Sequence, residues 1–207
     1  MNDPLAPILR ALAQPGRPSS DYDLNPDIVL PEGRALREAG VLAAFREGPS
    51  GAELMLTKRS SQLRHHPGQI AFPGGKVDPT DATPTAAALR EAHEEVGLDP
   101  ASVEVLGRFE PHETVTGFHV TPVFARITGP FTPRAEAGEV EEIFFVPLSH
   151  LADLTKFRIE GRRWRERFRS RSVIQIAFAH VAGIAPQHRR AFVLFLLILV
   201  LLLSLVV

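Results

Sequence analysis

Residues 72–98 read FPGGKVDPTDATPTAAALREAHEEVGL, a glycine-rich stretch leading into a well-bounded helix. Thr83 suits an N-cap and Pro84 the first helical position, because a threonine oxygen can accept an orphan backbone N–H and proline has none to lose. Gly97 suits the left-handed position that ends a helix. Between them Leu89, Ala92 or His93, and Val96 recur at helical spacing and are expected to face a core. Glu91, Glu94 and Glu95 are expected to gather on another side. Glutamates so spaced repel one another by a few tenths of a kcal/mol, so something must compensate. An acidic run on a helix is usually a solvated face, but this one follows Gly74 and Gly75, which let backbone approach closely where a side chain would forbid it. Hard divalent cations such as Mg²⁺ or Mn²⁺ prefer carboxylate oxygens, and Arg90 adds positive charge beside them.

Working outward, compact strand candidates are 41–45 and 53–57, which flank Gly48, Pro49, Ser50 and Gly51 as a hairpin. Further candidates are 69–72, 103–109, 118–127 and 143–146, the pattern of a mixed sheet. Residues 4–13 have the makings of a short amphipathic helix, followed by a Pro, Gly and Ser linker at 15–20. Seven arginines crowd the fourteen residues from Arg158 to Arg171.

Composition bounds the chemistry. The chain has 207 residues, 23 basic and 24 acidic side chains, a formal charge of −1 and no cysteine. No bulk positive charge invites nucleic acid, and no disulfide, thiolate metal site or cysteine nucleophile can form. Any metal is held by oxygen or histidine. Residues 191–207 are apolar except for Ser204. As a helix they reach about 25 Å, short of the roughly 30 Å hydrocarbon core. This tail is apolar all round, so membrane association or self-association is expected of it ahead of one-sided docking; a frame change, a true anchor and a buried replacement helix stay open.

The stretch 72–98 resembles the Nudix box: Gly75, Arg90, Glu91, Glu94, Glu95, Gly97 and Leu98 occupy matching positions. Two departures stand out. Asp81 sits where the box has glutamate, and eight residues instead of seven separate it from Arg90. LTKRSSQLRHHPGQIAFPGGK at 56–76, GFHVTPVFARI at 117–127 and EVEEIFFVPLSHL at 139–151 are similar to the branch of Nudix hydrolases that cleaves coenzyme A and its derivatives. The resemblance covers about 35–165.

It implies an α/β/α sandwich with a mixed sheet over 35–169, between an N-terminal helix and linker at 1–34 and an atypical segment at 170–207. The implied cofactor is Mg²⁺ or Mn²⁺, held by Glu91, Glu94, Glu95 and the Gly75 carbonyl, with Arg90 orienting a glutamate. Glu94, or less favourably Glu139, takes the proton of the attacking water. Arg59 and Arg64 are expected to grip phosphate; Gln69 reads an amide or merely sits in a strand, and Phe72 completes the expected substrate contacts. His65 and His66 read equally as loop histidines. The implied substrate is coenzyme A or a derivative, in the cytoplasm, with membrane contact through the tail and self-association left open. The alternatives are hydrolysis of another nucleoside diphosphate derivative and a catalytically silent binding module.

Overall fold

Runs of apolar and β-branched residues broken by turn residues build the sheet. In the computed structural model, which describes residues 3–24, 33–114, 116–151, 162–164 and 167–169, Arg37–Gly48 (β2) and Gly51–Arg59 (β3) form the expected hairpin, both longer than their apolar cores suggest. Gly48 pairs with Gly51, whose φ of +109° a side chain rarely adopts. Before the hairpin lie helix Ala6–Leu12 (α1) and the short strand Ser19–Ser20 (β1). After it come Ile70–Ala71 (β4), Gly74–Lys76 (β5), helix Pro84–Val96 (α2), Val103–Arg108 (β6), His112–Glu113 (β7), Phe118–Ile127 (β8), Val140–Pro147 (β9) and the short helix Leu148–Leu151 (α3).

The sheet is mixed. Its path runs β1-β7-β8-β2-β3-β4, with β5 also on β2, β6 on β8 and β9 on β3. At its centre β2 and β8 run parallel, from Arg37 beside Phe118 to Phe45 beside Arg126. Alternation along these strands divides the core between two faces. Phe45, Leu54, Phe72 and Phe124 meet Leu5 and Ile8 of the N-terminal segment and Leu148 and Leu151 of α3. The other face joins Leu42, Met55 and Val123 to Ala88, Ala92 and Val96 of α2. Helices on both faces of a mixed sheet make the expected α/β/α sandwich.

The buried side of α2 is mostly alanine, so the helix approaches the sheet closely. A Cβ on Gly40 of β2 would lie 1.9 Å from the Pro84 carbonyl oxygen and 3.2 Å from the Ala88 nitrogen. The N-terminal segment is tied down too. His112 is fully buried, with Nδ1 2.9 Å from the Ser19 hydroxyl and Nε2 3.1 Å from the Asp21 carboxylate.

Two expectations change here. Ser19–Ser20, at the end of the stretch expected as linker, is a strand pairing in parallel with His112–Glu113. Gly74–Lys76, not among the strand candidates, is a strand pairing antiparallel with Ala39–Val41. Two glycines carry neither β propensity nor alternation, yet their bare backbone fits against β2.

The arginine-rich stretch forms a small antiparallel pair, Arg162–Trp164 (β10) with Arg167–Arg169 (β11). The hydrophobic tail at 191–207, and the segment from 170 that leads to it, lie outside the described residues. Among the described residues, no helix is long and apolar enough to cross a membrane.

Candidate active site

Helix α2 carries the acidic residues, and its ends fall where the sequence puts them. The Thr83 side chain accepts from the Ala86 N–H at 3.1 Å, and Gly97 has φ 73°. The helix does not present its three glutamates on one side, however. Glu94 is exposed, Glu91 half-buried and Glu95 buried at 6% exposure. Neighbouring residues on an α-helix are about 100° apart, so Glu95 turns inward beside Ala92 and Val96 while Glu94 points to solvent.

Arg90 organises this end of the helix. Its Nε and Nη2 donate to the Asp81 carboxylate at 3.1 and 2.9 Å. Nη1 reaches Glu91 at 3.0 Å and Glu94 at 2.9 Å, and Nη2 also reaches the Lys76 carbonyl at 3.1 Å. Asp81, the residue that departs from the box, is therefore the two-pronged partner of Arg90. That guanidinium, with help from the Asp78 N–H, holds the Asp81 carboxyl below its usual range.

The glycines bring backbone to the acids. The Gly74 N–H donates to Glu95 Oε2 at 3.1 Å. A Cβ on Gly75 would fall 2.4 Å from Glu91 Oε1, so the Glu91 carboxylate rests directly against this glycine. Burial dominates the acidity of both glutamates. It raises Glu91, partly offset by Arg90, and pushes Glu95 up to about 8, with the charges of Glu91 and Glu139 raising it further and Gly74 and Arg59 opposing. Glu91 and Glu95 thus repel each other where solvation is poor, and the charge of the exposed Glu139 adds to both shifts. A hard cation relieves that repulsion, so the donor chemistry fits one. Among the described residues, no three acidic or histidine side chains are already gathered as a metal cage. Arg90 and the Gly74 N–H occupy the carboxylates instead.

The remaining expected residues separate into near and far. Arg59, at the end of β3, lies close enough to Glu95 to oppose its shift. Its N–H donates to the Gln69 carbonyl at 2.8 Å, while the Ser60 N–H donates to the Glu139 carbonyl at 2.8 Å. The backbone thus ties together Arg59, Gln69 and Glu139, which are far apart in sequence. Arg64 and His65 are exposed on the loop between β3 and β4, and His66 holds that loop's turn with φ 51°. Phe72, expected as a substrate contact, is 1% exposed and fills the core on the α1 side. Its place next to Pro73 and Gly74 made it look like part of the site; strand alternation turns it inward.

The raised acidity constants have a measurable consequence. An acid whose folded pKa exceeds its unfolded one binds more protons when folded, so stability falls as pH rises between the two values. For Glu95 that window runs from the ordinary glutamate value of 4.5 to about 8. Thermal unfolding of the metal-free protein is expected to show Tm declining across this window and levelling above it. Added Mg²⁺ or Mn²⁺ should restore more stability at pH 8.5 than at pH 5.5, because metal competes with the proton. Equal metal-induced shifts at both pH values would contradict this account.

Comparison with known proteins identifies the family. The family model described as NUDIX domain matches residues 36–168. Over 123 residues the chain is 50% identical to the Uncharacterized Nudix hydrolase NudL of Enterobacter sp. (strain 638), covering 58% of this chain and 62% of that protein. The protein of the same name from Escherichia coli (strain K12) is 47% identical over 121 residues, with the same shares covered. The chain therefore spans about three fifths of the length of these curated relatives. A solved Nudix hydrolase from M. smegmatis, RenU, is 26% identical with a TM-score of 0.48, covering 56% of this chain and 73% of that one. The family match takes in the helix, its glycines and the loop beyond β3, and on that match this chain belongs to the Nudix family.

Proposed function

We propose that the protein hydrolyses the diphosphate of coenzyme A or a derivative, releasing 3′,5′-ADP and 4′-phosphopantetheine or its acyl form. The observation that carries the hydrolytic part is the pair of carboxylates, half-buried Glu91 and buried Glu95, pressed against the Gly74–Gly75 backbone with Arg90 braced beside them. The coenzyme A part rests on the 56–76 stretch, where Arg59 lies close enough to Glu95 to oppose its shift and pairs through its backbone with Gln69.

Glu91, Glu95 and the Gly75 carbonyl, assisted by Glu94, would hold Mg²⁺ or Mn²⁺, which supplies charge neutralisation for the diphosphate and acidity for the attacking water. The protein's own groups do the rest. Arg90 fixes the Glu91 carboxylate through its Nη1 and is itself fixed by Asp81. Arg59, with Arg64 further along the loop, offers guanidinium donors to phosphoryl oxygens. The water oxygen attacks phosphorus, the bridging P–O bond breaks, and the water proton passes to a carboxylate. Glu94 is committed to Arg90 at 2.9 Å, whereas Glu139 has no such bond among the described residues. Glu139, the less favoured candidate from sequence, is therefore our assigned base.

The test is chromatographic and phosphorus-NMR analysis of the full chain with coenzyme A, and separately with ADP-ribose, with and without Mg²⁺ or Mn²⁺. Metal-dependent release of 3′,5′-ADP is expected. Turnover of ADP-ribose alone would replace coenzyme A by another nucleoside diphosphate derivative, and silence from the folded, metal-supplied protein would indicate a binding module.

A further inference from the structure

Gln69 presents an unmet need. Its side-chain oxygen Oε1 is buried and has no hydrogen-bond partner. A buried acceptor left unpaired is costly, and the few that persist in folded proteins call for an explanation. The backbone around it is settled: the Gln69 carbonyl accepts from Arg59 and its N–H donates to the His66 carbonyl at 3.3 Å. Ile70, the next residue, packs into the core on the α1 side. Alternation along the chain therefore turns Gln69 toward the opposite face, where α2 brings its glutamates. The acceptor is thus fixed by its neighbours, withdrawn from water and beside Arg59, which lies close to Glu95.

Such an oxygen is matched by an uncharged N–H donor on a ligand. We infer that Gln69 is a specificity residue whose amide oxygen accepts an amide N–H from the pantetheine half of the substrate. This deepens the coenzyme A reading and rests on it. Both halves of coenzyme A carry N–H donors, the base an amine and the pantetheine arm two amides. Residues 60–71 contain no Phe, Tyr or Trp to stack a base. An extended amide needs only an in-line acceptor, which Gln69 supplies.

The experiment measures, by calorimetry with Mg²⁺ present, the affinity of the wild-type full chain and of Gln69→Leu for each product separately. For Gln69→Leu, binding of 4′-phosphopantetheine is expected to weaken about tenfold while 3′,5′-ADP is held as before. The same variant should unfold at or above the wild-type temperature, because leucine removes the unpaired acceptor. A ligand-side measurement needs no substitution: N-methylation of one of the two amides of 4′-phosphopantetheine should weaken binding to the wild-type protein by a similar factor. Weaker binding of 3′,5′-ADP with 4′-phosphopantetheine unaffected would assign Gln69 to the base half and overturn the inference. So would insensitivity of both products to Gln69→Leu, or to methylation at either amide. If wild-type protein binds neither coenzyme A nor 4′-phosphopantetheine, the substrate reading itself falls and takes this inference with it.

Discussion

Glu95→Gln is expected to reduce metal-dependent turnover about a thousandfold and, at the same time, to raise the melting temperature of the metal-free protein at pH 8.5. The two effects have one origin. Glutamine keeps an oxygen to accept the Gly74 N–H, now 3.1 Å from the carboxylate, so local geometry survives. It cannot provide the anionic charge with which, on the proposed function, Glu95 would steady a cation; losing a single group that stabilises transition-state charge costs about 10² to 10³ in rate. Above the pKa of about 8 the wild-type side chain must be ionised in a poorly hydrated place facing Glu91 and Glu139. Relief of that strain by even 1 to 2 kcal/mol raises Tm by about 3 to 6 °C in a chain of this size. Activity assays and thermal melts of the same preparation check both effects. Turnover near the wild-type rate would remove Glu95 from the chemistry, and a lowered melting point would show that its charge is structurally satisfied without metal.

Gly40→Ala is expected to be the most destabilising single-methyl change in the protein, at least about 4 kcal/mol, in the range reserved for severe core defects. The new Cβ would stand 1.9 Å from the Pro84 carbonyl oxygen and 2.8 Å from its carbon. Those atoms belong to the first turn of α2, not to a side chain that can swing away. Gly40 is also held from both sides, by Gly75 of β5 and Thr121 of β8. The methyl group must push the helix off the sheet or split the strand ladder. Denaturant titration of the variant should show a transition shifted by several kcal/mol or no cooperative fold at all. A loss below about 1 kcal/mol, typical of a tolerated substitution, would mean that α2 does not rest on β2 as described.

The helix was legible because its signals are local: Thr83, Pro84 and Gly97 act within a few residues of themselves. Strands β2, β3, β8 and β9 were legible from apolar runs between turn residues, though their ends were not, since polar residues such as Arg37 and Glu47 extend a ladder without adding to a core. Strand β5 escaped because its glycines contribute only backbone. The inward turn of Glu95 escaped for a different reason. A glutamate adjoining two others reads as part of an exposed acidic face, and only a backbone donor from Gly74, 21 positions earlier, shows otherwise. Asp81 looked like a defect in the motif until its carboxylate met Arg90 across the intervening turn. Gln69 was legible as a residue that reads an amide or sits in a strand, but the burial of its side-chain oxygen was not, because it depends on packing between segments that the sequence does not bring together.

The parallel seam between β2 and β8 also determines when the site can come into being. Arg37 and Phe118, paired at its start, are 81 positions apart. Closing so long a loop is entropically expensive, and pairings of this kind are late events in folding. Helix α2 lies over that seam, against Leu42 on one strand and Val123 on the other. Its acidic residues are close together along the chain, but their working arrangement waits on a pairing between strands far apart in sequence. A chain that has made the helix but not this seam therefore holds the glutamates without the fixed geometry around them.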